Sequence, residues 1–181
     1  MTTINKFILK GLWLPVVVFT LRYFLFTPGN IYDYFSAIGE SVSISVILLT
    51  LYEKILWKYN SLEKTPKIFG VFTGTIEYEY NGERSKKDIS IVIKQSLLTT
   101  RVKITTNETT SYTIASNLIE ENGEYILYYT YITNPKSKFS SDNPIHHGTC
   151  RLDLTDKDDL HGIYWTSQKT KGDIYFKRNI L

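Results

Sequence analysis

The residues best suited to chemistry lie in one short run, "HHGTCRL", where His146 and His147 precede the lone Cys150. A thiol near an imidazole could act as a nucleophile, and paired histidines could bind a metal. The spacing supports neither. Adjacent side chains of a strand point to opposite faces, so the two histidines diverge. No cysteine or carboxylate is spaced to complete a zinc site with them or with His161. A glycine-rich phosphate loop and a nucleophile elbow are both missing. The pattern argues against an enzyme and implies no metal or resident cofactor; Cys150 reads as a small strand residue. One cysteine closes no internal disulfide, so a stapled secreted module is also disfavoured.

A second set of residues suits binding. Arg101, Lys103, Arg151, Lys169, Lys171, Lys177 and Arg178 interleave with tyrosines and Trp165. Cations beside aromatic rings can hold phosphates and stack bases. Lysines on the outer face of a strand are also ordinarily just solvated, and they protect sheet edges. The choice depends on the elements that carry them.

Those elements differ sharply between the two ends of the 181-residue chain. Residues 1–59 are apolar and aromatic; residues 60–67, "NSLEKTPK", read as a polar linker; residues 68–181 are rich in Thr, Ser, Tyr and charge. The last part alternates with period two in about eight short runs separated by turn signals, including "NG" after Tyr80 and "ENG" after Glu121. This predicts an all-β, antiparallel up-and-down barrel of the lipocalin or fatty-acid-binding-protein type, closed so that no edge is left bare. A two-sheet sandwich is the rival. Alternation places Ile89, Ile91, Ile93 and Gln95 inside, with Val102, Ile104, Ser111, Thr113 and Ala115. Leu127, Tyr129, Tyr131, Gly148, Leu152 and Leu154 join them, as do Leu160, Gly162, Tyr164, Thr166, Gly172, Ile174 and Phe176. An apolar wall with hydroxyls and an amide suits a small-ligand cavity, but composition equally permits a packed core. The candidate ligand residues are Gln95, Ser111, Thr113, Tyr129, Tyr131, Tyr164 and Thr166, with Arg178 as the nearest cation. Few cations point inward, so phosphates are expected at the barrel mouth or between protomers.

The N-terminal part holds two apolar runs, about residues 7–27 and 35–57, each able to span roughly 30 Å of hydrocarbon. No small-residue cleavage site follows the first, so it is not read as a signal peptide. Arg22 and Glu40 would each cost about 2.5–3.5 kcal/mol at the bilayer centre. A turn over residues 28–34 would set them opposite each other near one interface, where they can pair. Lys6, Lys10, Lys54, Lys58, Lys64 and Lys67 flank the outer ends, while the turn carries Asp33 and no cation. By the positive-inside rule both termini are cytoplasmic. The rival is a soluble helical hairpin, which would have to explain two helices apolar nearly all round.

The order of parts, with "GVFTG", "YYTYITNP", "HHGTCRLDL", "LHGIYWTSQKTKG" and "IYFKR", resembles the CBASS antiphage effectors that join two membrane helices to a cytoplasmic β-barrel. The resemblance implies that the barrel binds a cyclic oligonucleotide, a cyclic dinucleotide above all, made by a CD-NTase cyclase of the same operon. It further implies homo-oligomerisation on activation, disruption of the inner membrane as a multi-pass protein, and cell death. A DNA or RNA polymer is not an expected partner. Two other readings are a membrane-anchored barrel holding a lipid or fatty acid, and an anchor whose barrel docks a protein.

Overall fold

The computed structural model describes residues 3–80 and 82–179 and divides into two compact units. The first unit holds the helices, together with Ser96–Leu98. Helix α1 spans Thr3–Leu25 and α2 spans Ile31–Lys54, followed by a short 3-10 helix, Leu56–Tyr59. Both helices are long and apolar enough to cross a membrane. The turn between them is shorter than residues 28–34, because α2 starts at Ile31 behind a capping box. Asn30 Oδ1 accepts from Asp33 N at 3.0 Å, and Asp33 Oδ2 accepts from the backbone of Asn30 and Gly29. Reciprocal capping satisfies amides that would otherwise be orphaned, so the polar residues that read as turn become the first turn of the helix.

Leu12, Val16, Phe24, Ile38, Ile47 and other large apolar side chains of these helices are exposed on every side. Only Ala37, Ser41 and Ser45 of α2 are buried, one residue per turn along a single line. The hydroxyls of Ser41 and Ser45 bond back to the carbonyls four residues earlier, which leaves no polar group bare on that line. Arg22 Nε donates to Glu40 Oε2 at 3.1 Å, and Arg22 also donates to Phe26 O. After α2, Asn60 and Glu63 both bond Tyr52 Oη, so residues 60–65 fold back on the helix.

The second unit is a closed barrel of eight strands in sequence order, each antiparallel to the next, with β1 pairing β8. The strands are β1 Gly70–Tyr80, β2 Glu83–Gln95, β3 Thr100–Thr105, β4 Thr109–Glu121, β5 Glu124–Pro135, β6 His146–Asp153, β7 Asp159–Thr166 and β8 Lys171–Arg178. The sandwich alternative is thereby excluded. The β4–β5 turn is two residues, Asn122 and Gly123, both at positive φ, the combination that follows strand twist. Asn81 of the first "NG" lies outside the described residues; Gly82 has φ 84°. Strand β2 begins at Glu83 rather than Asp88, because its polar first turn pairs with β1 down to Tyr80↔Glu83.

Alternation predicts the inward set in every strand but one, although outward-phase Ile126 of β5 is buried as well. Ala115 is exposed, not inward, because register slips between Thr113 and Ala115. That bulge puts Ser116 opposite Tyr129 and flips the phase of the rest of β4. The core lies in the half of the barrel where both chain termini of the unit enter, around Phe72, Ile91, Leu127, Leu152, Leu160 and Phe176.

Candidate functional site

The turns β1–β2, β3–β4, β5–β6 and β7–β8 gather at the opposite end, and there the interior is not filled. A cavity of about 640 Å³ opens among them, a size suited to one small ligand. Ile76, Ile104 and Ile174 give it an apolar side, and Tyr78, Tyr131 and Tyr164 supply rings. Ser111, Thr133 and Thr166 add hydroxyls; Asp142, Asn143 and Pro144 of the β5–β6 loop overhang it, with His146 and Gln168 at the rim. A packed core and an open cavity are thus both present, stacked along one barrel axis.

Four of the eight sequence-derived ligand residues line this cavity: Ser111, Tyr131, Tyr164 and Thr166. Ser111 Oγ and Thr133 Oγ1 lie 2.8 Å apart across the β4–β5 pair. Tyr129 sits one inward position deeper, 2 % exposed, its ring 5.9 Å from that of Tyr131. Its hydroxyl interacts with the Cys150 thiol but makes no hydrogen bond of ordinary geometry.

The other three are inward or buried but committed elsewhere. Gln95 accepts from Ile68 N at 2.9 Å and donates to Pro66 O at 2.8 Å, at the far end of the barrel. Thr113 Oγ1 both accepts from Val102 N and donates to Val102 O, replacing the strand ladder where the bulge parts β3 from β4. Arg178 donates to Asp158 Oδ1 at 2.5 Å, to Phe69 O at 2.7 Å and to Lys157 O at 3.1 Å, over the Phe72 ring. It closes the barrel base and is not the cation nearest the cavity.

That cation is Lys87. It continues the inward phase of Ile89, Ile91 and Ile93 towards the mouth, and its ammonium donates to Glu108 Oε2 at 2.7 Å. Burial alone would lower its pKa, but Glu108 and the Tyr78 hydroxyl together more than offset this, so it is raised and the charge is held. Tyr131 and Tyr164 are pushed well up, first by burial, and stay neutral donors at any physiological pH. Burial likewise pushes the Cys150 thiol up to about 12, which removes it as a nucleophile. Among the described residues no group of three histidine, cysteine or acidic side chains could hold a metal.

A second concavity of about 690 Å³ runs beside the β1–β2 hairpin, over Ile163, Trp165 and Asp173. Those side chains are in outward phase, and Lys86 and Glu77 of its lining are paired at 2.9 Å. The mouth cavity, built from inward residues, is the better ligand site.

Residues 63–178 match the family described as the cyclic dinucleotide receptor domain of Cap15. Over 178 residues the chain is 37% identical to CD-NTase-associated protein 15 of Staphylococcus schleiferi, covering 97% of each.

Proposed function

This chain belongs to the Cap15 family of CBASS effectors, whose barrel is a cyclic dinucleotide receptor, and from that premise we propose how it acts. The cavity at the barrel mouth captures one cyclic dinucleotide made by a partner CD-NTase. Tyr131 and Tyr164 stack on or flank the bases, Ser111, Thr133 and Thr166 bond their edges, and the phosphates lie towards the rim. The observation that carries this assignment is the cavity itself: about 640 Å³, with rings and hydroxyls in inward phase.

Residues 7–58 act as the membrane module, residues 60–67 as the connection and residues 68–181 as the sensor. Both termini face the cytoplasm of a bacterial cell, with the helices in the inner membrane, as the flanking lysines suggest. Ligand shifts the chain towards a homo-oligomer only in so far as it binds the assembled state more tightly. Assembly then re-pairs Arg22 and Glu40 between protomers, disrupts the bilayer and kills the cell. Dye-filled vesicles of bacterial lipid carrying the full chain should leak on addition of the cognate cyclic dinucleotide. Leakage that is indifferent to cyclic dinucleotide would refute the coupling.

A further inference from the structure

Among the described residues one ammonium lines the cavity, and its partner is an internal anion. Lys87 Nζ is 2.7 Å from Glu108 Oε2 and 5.7 Å from the centre of the Tyr78 ring. Both partners line the cavity. A cyclic dinucleotide carries two phosphodiesters and needs a cation within hydrogen-bond reach of at least one. Glu108 is the competitor for that cation.

Resting on the cyclic dinucleotide reading above, we propose that Lys87 is the phosphodiester-binding residue and that Glu108 is an internal mimic of the phosphate, which ligand must displace. The carboxylate occupies the place a phosphate oxygen takes. It also presents a negative charge to an anionic ligand until it swings away. The device lowers the apparent affinity: ligand has to compete with an anion tethered beside Lys87 at high effective concentration. It also has a route outward. Glu108 lies in the β3–β4 turn, and Lys136, at the base of the overhanging β5–β6 loop, grips that turn twice. Lys136 N donates to Glu108 O at 2.8 Å, and its ammonium donates to Asn107 O at 2.7 Å. The turn that carries Glu108 is thus fastened, through its main-chain carbonyls, to the loop that overhangs the cavity.

The sign of one substitution separates a competitor from an orienting partner. If Glu108 blocks Lys87, Glu108→Gln tightens ligand binding; if Glu108 merely holds Lys87 in place for the ligand, Glu108→Gln weakens it. Binding is measured by titration calorimetry on the full chain in detergent. The probes are 3′,3′-linked cyclic di-AMP, cyclic di-GMP, cyclic AMP–GMP and cyclic UMP–AMP. With whichever probe binds the unaltered protein, Glu108→Gln is expected to tighten binding about twofold to fivefold, the range that one partly exposed ion pair allows. Lys87→Met should weaken it at least tenfold, and Lys87→Arg should retain most of it. Thermal unfolding without ligand checks that each variant is folded. Unchanged or weaker binding by a folded Glu108→Gln protein overturns the competitor role, and unchanged binding by Lys87→Met overturns the phosphate role. Absence of binding by the unaltered protein to all four probes overturns the functional reading itself, and this inference with it.

Discussion

Tyr131 and Gly148 stand directly opposite each other across the β5–β6 ladder, and the phenol of Tyr131 rests in the space a side chain at 148 would fill. A methyl group added to Gly148 would overlap Tyr131 Cζ and its hydroxyl. Thr166 flanks the same glycine on β7. The glycine thus lets a large ring lie back against the barrel wall and keeps the cavity open.

Gly148→Ala should therefore close the site without unfolding the barrel. The displaced group is the far end of a side chain whose open side is the cavity. We expect a stability loss of about 1–3 kcal/mol, the usual cost of overpacking. Cyclic dinucleotide affinity should fall at least tenfold. Chemical denaturation and calorimetry on the same sample check the two halves.

Gln95 and Arg178 make the opposite prediction. Each holds several backbone groups at the far end of the barrel. Gln95→Leu strands the Ile68 amide and the Pro66 carbonyl, and Arg178→Leu strands Asp158. Each should cost about 1–3 kcal/mol of stability, the penalty for unpaired polar groups. Below the melting transition, dissociation constants for ligand should stay within about twofold of the parent.

These two residues mark what the sequence could and could not disclose. Period-two alternation assigns a face, and it did so correctly for Tyr131, Tyr164 and Gln95 alike. It carries no information on height along the barrel, which depends on strand stagger and on where the turns fall. Gln95 and Tyr131 share an interior and lie at opposite ends of it. Ala115 was misassigned because a one-residue bulge leaves no mark in a Thr-Ile-Ala-Ser run. Lys87, Tyr78 and Thr133 were legible in principle: each continues an inward phase by two residues. The polar start of β2 at Lys87 resembles a turn, whereas Tyr78 and Thr133 lie in runs that read as strand and needed only the phase to be carried to their ends. The overhanging Asn143 and the rim residue Gln168 belong to connections with no periodicity to read. The two helices were clear from apolar length; the Asn30–Asp33 cap moves the start of α2 to Ile31, and the helices end at Leu25 and Lys54 rather than near 27 and 57.

Alkaline pH should destabilise the barrel through its buried acids. Cys150 is pushed from 9.0 to about 12 in the folded protein, first by burial, and Tyr129 and Tyr131 are shifted in the same direction. The unfolded chain releases these protons first. The stability they contribute is complete below about pH 9 and is lost as pH rises towards 12, at about 1.4 kcal/mol per pH unit for each group. Urea unfolding from pH 8 to 11 should show that decline, and Cys150→Ala should delay its onset. Native Cys150 should also resist iodoacetamide at pH 8 and react once unfolded.

Arg22 and Glu40, 3.1 Å apart in one hairpin, bear on membrane action rather than ligand capture. Replacing both with leucine should leave cyclic dinucleotide binding intact and abolish ligand-triggered vesicle leakage and cell killing. Full killing by the doubly substituted chain would eliminate re-pairing between protomers.

The most direct measurement is calorimetric titration of the full chain in detergent with the cognate cyclic dinucleotide, alongside Tyr131→Ala. Capture in the mouth cavity requires one ligand bound per chain and at least about a fivefold loss on removing the ring, since a stacked base contributes about 1–3 kcal/mol. Equal affinity in the two proteins, or one ligand shared between two chains, would contradict capture at that site.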